Sequence, residues 1–201
     1  LATHGVAPLA LIDGTRPTTY KQVVTVSGYR MLRMDTLDNR PISGALTGEL
    51  GTRIAAIPTD AVVFSDFRHG IFSAASIPAL CAAIPAGVLR VADSQVASRW
   101  GNILDFQGFD LITPNEREAR FALGDQDSVL RHLAVELQRR ANAKTVILKC
   151  GARGIMAKDG PRMLTLDSFT RKAVDPVGAG DALLAYATLA MKSGAVTASI
   201  L

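Results

Sequence analysis

Near the carboxyl end, the run Asp175-Pro176-Val177-Gly178-Ala179-Gly180-Asp181 sets small residues and a carboxylate at the start of a long apolar segment. Small residues let a backbone approach a ligand closely, and the first turn of a helix offers N–H groups without intrahelical acceptors. With the helix dipole, those groups form a site for an anion such as phosphate. A plain glycine turn feeding a buried helix, with Asp181 as its N-terminal cap, has the same spacing and is compatible with a chemical role. A carboxylate beside a bound phosphate costs Coulomb energy, and accepting a proton from a substrate hydroxyl is a reason to place one there. The implied chemistry is phosphoryl transfer, with Asp181 as base and the turn of Gly178, Ala179 and Gly180 as anion hole. Other glycine motifs fit less well. Leu183 stands where G-x-G-x-x-G needs its third glycine, and the Lys-Ser or Lys-Thr of a Walker A loop is absent.

Two further groups have suggestive spacing. Asn115 and Glu118 stand three apart at the start of a helical pattern and share one face. An ordinary capping box, with Asn as cap and Glu reaching back, accounts for that spacing equally well. Lys149-Cys150-Gly151-Ala152-Arg153-Gly154 ends an apolar run in a glycine turn, which serves either a ligand or a bend into a hairpin.

The elements that must position these residues follow from periodicity. Lys21 to Val26 and Tyr29 to Asp35 read as a β-hairpin turning at Ser27-Gly28. Leu46 to Ile57 reads as an amphipathic helix, Asp60 to Ser65 as a buried strand and Ser76 to Ile84 as a helix. Strands are expected at Val88 to Ala92, Phe109 to Thr113 and Thr145 to Lys149, with helices at Asn115 to Leu123 and Asp127 to Ala141. A second hairpin, Ile155 to Ala157 and Arg162 to Leu166, precedes a last helix that starts near Gly180. Short apolar strands alternating with helices imply a mostly parallel sheet covered on both faces, with ligands at the carboxyl ends of the strands. Asp66, Asp93, Asn115 and Gly151 all fall at such ends. With no repeat or long linker, residues 1–201 are expected to form a single domain, residues 21–35 being its β segment.

The run Asp175 to Asp181 resembles the carboxyl-terminal signature of the ribokinase/PfkB family of carbohydrate kinases, in which the aspartate of G-A-G-D is the catalytic base. The resemblance implies a ribokinase-like three-layer α/β/α fold with a small β lid hairpin. It also implies a transfer of the γ-phosphoryl group of ATP to a sugar or sugar-phosphate hydroxyl. Asn115 and Glu118 match the family's N-x-x-E motif, which organises Mg2+ through water, and Gly151 and Gly154 match its nucleotide-binding G-x-x-G turn. Lys149 and Asp175 join them as candidate nucleotide contacts, a solvated strand-end lysine being an equally good reading of Lys149.

Lys21, Leu32, Arg33 and Asp35 match a segment of the heptose-phosphate kinases, and Ser65-Asp66-Phe67-Arg68-His69-Gly70 matches their S-D-Y-x-K-G. Lys21, Arg33 and Asp66 are therefore implied substrate contacts. Val23, Tyr29, Arg30 and His69 depart from the subgroup pattern, which leaves a nucleoside or vitamin-like alcohol as alternative acceptor. A nucleotide-binding module without turnover is the non-enzyme alternative. The family's amino-terminal sugar-holding part is expected to be missing, and a homodimer through the lid is an assembly the family implies. Leu1 in place of Met, and an apolar stretch reaching Leu201 without a stop signal, likewise suggest a cut at both ends.

Composition narrows the remaining classes. With 48% hydrophobic and 20% charged residues, 201 residues can bury a substantial core. A net charge of +4 with scattered Lys and Arg argues against a nucleic-acid partner and for small anions. Cys81 and Cys150 are too few for a disulfide framework or a zinc site. No apolar run approaches the roughly 18 residues of a membrane span, so a cytoplasmic protein without a membrane partner is expected.

Overall fold

The computed structural model describes residues 2–96, 102–169 and 176–194. Two compact units emerge, Leu1–Ala56 with His69–Ala83, and Ile57–Arg68 with Ile84–Leu201.

In the first unit, β1 (Tyr20–Val26) and β2 (Tyr29–Thr36) form an antiparallel hairpin. Ser27 and Gly28 have φ of 49° and 83°. Positive φ at both central positions is what a type I′ connection demands, and its twist matches that of the strands. A bulge follows Val24, and the hairpin is exposed along its whole length. Helices α1 (Gly44–Ala56) and α2 (Ser76–Ala82) of the same unit pack together. The Ser43 hydroxyl accepts the N–H of Leu46 at the start of α1. Both helices stop before a proline, Pro58 after α1 and Pro85 after α2, because the residue preceding proline disfavours helical backbone.

The second unit is built on a six-stranded sheet in the order β3 (Ala61–Asp66), β4 (Leu89–Ser94), β5 (Leu111–Ile112), β6 (Thr145–Lys149), β7 (Ile155–Asp159), β8 (Arg162–Leu166). The first three pairings are parallel and the last two antiparallel. This is the mostly parallel sheet the apolar strands imply. Side chains alternate across it. Val91, Leu111, Ile147 and Ala157 pack with Leu184 and Ala187 of α5 (Ala179–Lys192). Their strand neighbours Ala92, Ile112, Val146 and Leu148 point to the opposite face and are fully buried as well. On that face Phe64, Phe106 and Phe109 form an aromatic cluster with centroids 5.6 to 6.2 Å apart. Both faces are thus covered, with α3 (Glu116–Leu123) packed on β6 and α4 (Leu130–Ala141) on β6 and β7.

Two boundaries differ from expectation. The ladder at β5 shortens to two residues because Asp110 turns its carboxylate to the N–H of Arg90 and its carbonyl to Thr145. Helix α4 starts at Leu130 rather than Asp127, since the Asp125 carboxylate accepts the N–H groups of Asp127 and Ser128 and holds them in a turn.

Candidate active site

The carboxyl ends of β4, β5 and β6 and the start of α5 enclose a cleft of about 490 Å³. Its lining includes Asp93, Asn115, Glu118, Lys149, Gly151, Gly178, Gly180 and Asp181. Residues far apart in sequence, singled out for their chemistry, therefore meet in one place.

Gly178 caps α5 with φ of 82°, a left-handed conformation that a glycine adopts without strain. Its carbonyl accepts the N–H of Ala182, and the N–H of Ala179 goes to Pro176. Among the described residues the N–H groups of Gly180 and Asp181 have no backbone acceptor. They are the helix-end donors an anion needs, while Ala179 is absent from the lining and its N–H is already used. Of the residues expected to form the anion hole, Gly178 and Gly180 line the cleft and Ala179 has its N–H committed. Asp181 lies in the first turn of α5 and is exposed to the cleft, and no described residue forms an ion pair or hydrogen bond with its carboxylate. Asp175 lies outside the described residues.

Asn115 and Glu118 form a complete capping box. The Asn115 side chain accepts the N–H of Glu118 at 2.8 Å, and Glu118 Oε2 accepts the N–H of Asn115 at 2.6 Å. The cap and the ligand reading are compatible, because each side chain keeps acceptor capacity toward the cleft. Burial pushes the Glu118 carboxyl above its ordinary 4.5, while the Asn115 hydrogen bond and the charge of Lys149 pull it down. The folded state then binds this proton more tightly than the unfolded chain does. Its contribution to stability falls as pH rises from 4.5 through the raised folded value. Glu118→Gln keeps an oxygen for the cap and removes the titration. In buffer containing a chelator, the variant's melting temperature is expected to fall less than the wild type's over that window. Parallel curves would mean that burial leaves the carboxyl unshifted.

Lys149 is held more firmly than its position at a strand end suggests. Its Nζ pairs with Asp93 Oδ1 at 2.8 Å, and Thr113 Oγ1 donates to the same oxygen at 2.9 Å. The ammonium sits beneath the glycine turn, 3.4 Å from where a Cβ on Gly180 would stand. Asp93 and Thr113 were legible only as polar residues ending apolar strands. Their spacing to one another carries no motif, so their pairing with Lys149 emerges from the parallel register.

The two glycines of the β6–β7 turn separate. Gly151 (φ 61°) lines the cleft, and a Cβ there would touch nothing. Gly154 (φ 85°) lies off the cleft, and a Cβ there would stand 2.0 Å from the carbonyl oxygen of Leu166. Close backbone packing by itself requires glycine here.

The acceptor-side expectations fare differently. Asp66 is buried, with Oδ1 accepting the N–H of Arg68 at 2.7 Å and Oδ2 bonded to the Arg68 guanidinium at 2.6 Å and to Ser94 Oγ at 2.9 Å. Both oxygens hold bonds within the fold, to Arg68 and Ser94. Lys21 and Arg33 lie on the hairpin of the first unit, with Lys21 opposite Asp35. Arg33 makes a two-pronged pair with Asp35 at 2.9 and 2.5 Å and is exposed.

At the strand ends of an α/β sheet, one cleft thus brings together unbonded helix-end N–H groups, a carboxylate and a capped N-x-x-E helix. Over residues 11–195 the sequence matches the pfkB family of carbohydrate kinases, and the chain belongs to that family. Among curated relatives, the bifunctional protein HldE of Azorhizobium caulinodans is 31% identical over 202 residues, covering 96% of this chain and 41% of that protein. HldE of Pelobacter propionicus is 27% identical, covering 95% of this chain and 40% of that protein. The chain thus spans about two fifths of these relatives. Among solved structures, Escherichia coli phosphofructokinase-2 in complex with substrates and products superposes with a TM-score of 0.72 at 18% identity, covering 90% of this chain and 60% of that one. Arabidopsis thaliana ribokinase complexed with ribose and ATP gives 0.67 at 18% identity, covering 92% and 60%. The ribokinase-like α/β fold is established by these likenesses. Among the described residues no helix is long and apolar enough to cross a membrane.

Proposed function

We propose that this chain carries the nucleotide side of a kinase that transfers the γ-phosphoryl group of ATP to a hydroxyl of a sugar phosphate. The observation that carries this reading is the Asp181 carboxylate, without an ion-pair partner among the described residues, in the same helix turn as the unbonded N–H groups of Gly180 and Asp181. An acceptor hydroxyl between Asp181 and the γ-phosphate gives its proton to the carboxylate as its oxygen attacks phosphorus. The bond to the β-phosphate oxygen breaks in line, ADP leaves, and the two N–H groups stabilise charge on the transferring oxygens. The ATP in the ribokinase complex supports the choice of donor. The HldE relatives, with the matches around Lys21 to Asp35 and Ser65 to Gly70, support a heptose 7-phosphate as acceptor.

Magnesium fits the donor set present. Asn115 and Glu118 offer hard oxygens, and since each also serves the capping box, they would hold the ion through water rather than directly. When bound, the ion neutralises phosphate charge. The chain's own part is to hold Glu118 beside the phosphates and to keep Lys149 beneath the turn.

Release of ADP by the full-length protein over a panel of sugar phosphates, free sugars and nucleosides tests this reading. The expected result is turnover confined to sugar phosphates and strongest with a heptose 7-phosphate. Turnover with a nucleoside alone would reassign the acceptor, and ATP binding without turnover on any acceptor would remove the kinase.

A further inference from the structure

The hairpin of β1 and β2 is exposed along its whole length, and among the described residues its strands pack extensively only on each other. A two-stranded ribbon is marginally stable by itself, so its direction within the first unit is set at its two feet. That direction has a chemical consequence. Cross-strand pairing places Lys21 with Asp35, Val23 with Arg33 and Thr25 with Arg30, and alternation then sets Lys21, Arg30 and Arg33 on one face. Val24, Leu32 and Met34 fall on the other. The cations can meet an anion only while their face is held toward it.

One side chain joins both feet. Arg16, shortly before β1, donates from Nε to Asp13 Oδ2 at 2.5 Å and from Nη1 to the Arg40 carbonyl at 2.6 Å, with the Asp38 and His69 carbonyls at 3.3 and 3.5 Å. Asp13 is fixed in turn, because its other oxygen accepts the N–H and hydroxyl of Thr15. Asp38 and Arg40 follow β2 closely, so the chain entering the hairpin and the chain leaving it meet at one guanidinium. The side chains of Arg16 and Asp13 are only 12% and 17% exposed, unlike the surface ion pairs that contribute little. Gly70 is an independent sign of how tight this knot is. It has φ of 91°, and a Cβ there would stand 2.0 Å from the Arg40 carbonyl oxygen and 2.9 Å from Arg16 Nη1.

We infer that Arg16 is a positioning residue for the acceptor: by joining the feet of the hairpin it fixes the direction in which Lys21, Arg30 and Arg33 face. This rests on the reading of a sugar-phosphate acceptor met by the hairpin, and it adds a residue that touches neither acceptor nor nucleotide. The guanidinium suits the task because its planar fork offers donors in two directions at a fixed angle. Lysine supplies the charge at a single point.

Steady-state kinetics of the full-length protein with ATP and a heptose 7-phosphate, in wild type, Arg16→Lys and Arg16→Ala, test the assignment alongside amide hydrogen exchange. Arg16→Ala is expected to raise KM for the sugar phosphate about 10-fold, as for a hairpin that holds the binding direction about a tenth of the time. Its kcat and ATP affinity should stay within about 2-fold, and Arg16→Lys should recover little. The Ile42 N–H, which bonds the Gly70 carbonyl at 2.9 Å, should exchange about 10-fold faster in Arg16→Ala, with the amides of β4 and β6 unchanged as evidence of an intact fold. Unchanged KM in Arg16→Ala overturns the inference, whether or not Ile42 exchanges faster, and leaves the acceptor reading standing. A fall in kcat or in ATP affinity as large as the rise in KM also overturns it, since the loss would then be general. A wild type without turnover on any sugar phosphate removes the acceptor reading and the inference together.

Discussion

Asp181→Asn is expected to lower kcat by about 10²- to 10⁴-fold, the range for removal of a positioned general base, while ATP binds as tightly as before or more so. The asymmetry follows from the geometry. The carboxylate lies in the first turn of α5, against the cleft, with no cation paired to it among the described residues. Its removal deletes no protein contact, and it relieves repulsion between a carboxylate and phosphate. Asparagine can still hydrogen-bond the acceptor hydroxyl but cannot take its proton. The N–H groups of Gly180 and Asp181 are backbone groups and survive the substitution, so residual transfer from charge stabilisation should remain. Nucleotide titration and steady-state kinetics on one preparation separate the two effects. Unchanged kcat would remove Asp181 from the base role, and lost ATP binding would make it a structural residue.

The second large effect is expected on stability. Gly154→Ala places a Cβ 2.0 Å from the Leu166 carbonyl oxygen, in a backbone conformation with φ of 85° and ψ of −136°. Neither obstacle yields cheaply, because the clashing atom is backbone and Leu166 is paired in β8 against Ile155. The cost is about 3 kcal/mol or more, a fall in melting temperature of roughly 6 to 12 °C for a chain of this size. Gly151→Ala is the contrast. It has φ of 61° and an open space around the missing Cβ, so it should cost only about 1 to 2 kcal/mol. Gly151 lines the cleft, and its substitution should disturb nucleotide binding more than folding. If both variants melt alike, the separation of the two glycines into a folding role and a binding role is wrong.

That separation shows where sequence patterning stops being informative. Gly151 and Gly154 are equivalent within a G-x-x-G turn, and only the return of β8 beside β7 brings the Leu166 carbonyl against one of them. The hairpin turn at Ser27-Gly28 and the order of strands and helices were legible because periodicity and glycine placement are local signals, while the gathering of Asn115, Glu118 and Asp181 was implied by the family resemblance. Charge partnership was not legible. Lys149 looks like a free strand-end lysine until the parallel pairing of β4, β5 and β6 sets Asp93 and Thr113 beside it. Asp66 looks like a ligand residue until Arg68, two positions on, folds back onto it.

Transfer of a γ-phosphate label tests the central claim most directly. The full-length protein is incubated with γ-labelled ATP, magnesium and a heptose 7-phosphate, in wild type and Asp181→Asn, and the labelled products are separated. The account predicts label in a heptose bisphosphate, formed in equal amount with ADP and nearly lost in the variant. Label found only in inorganic phosphate, or label transfer that is the same in both proteins, would contradict it.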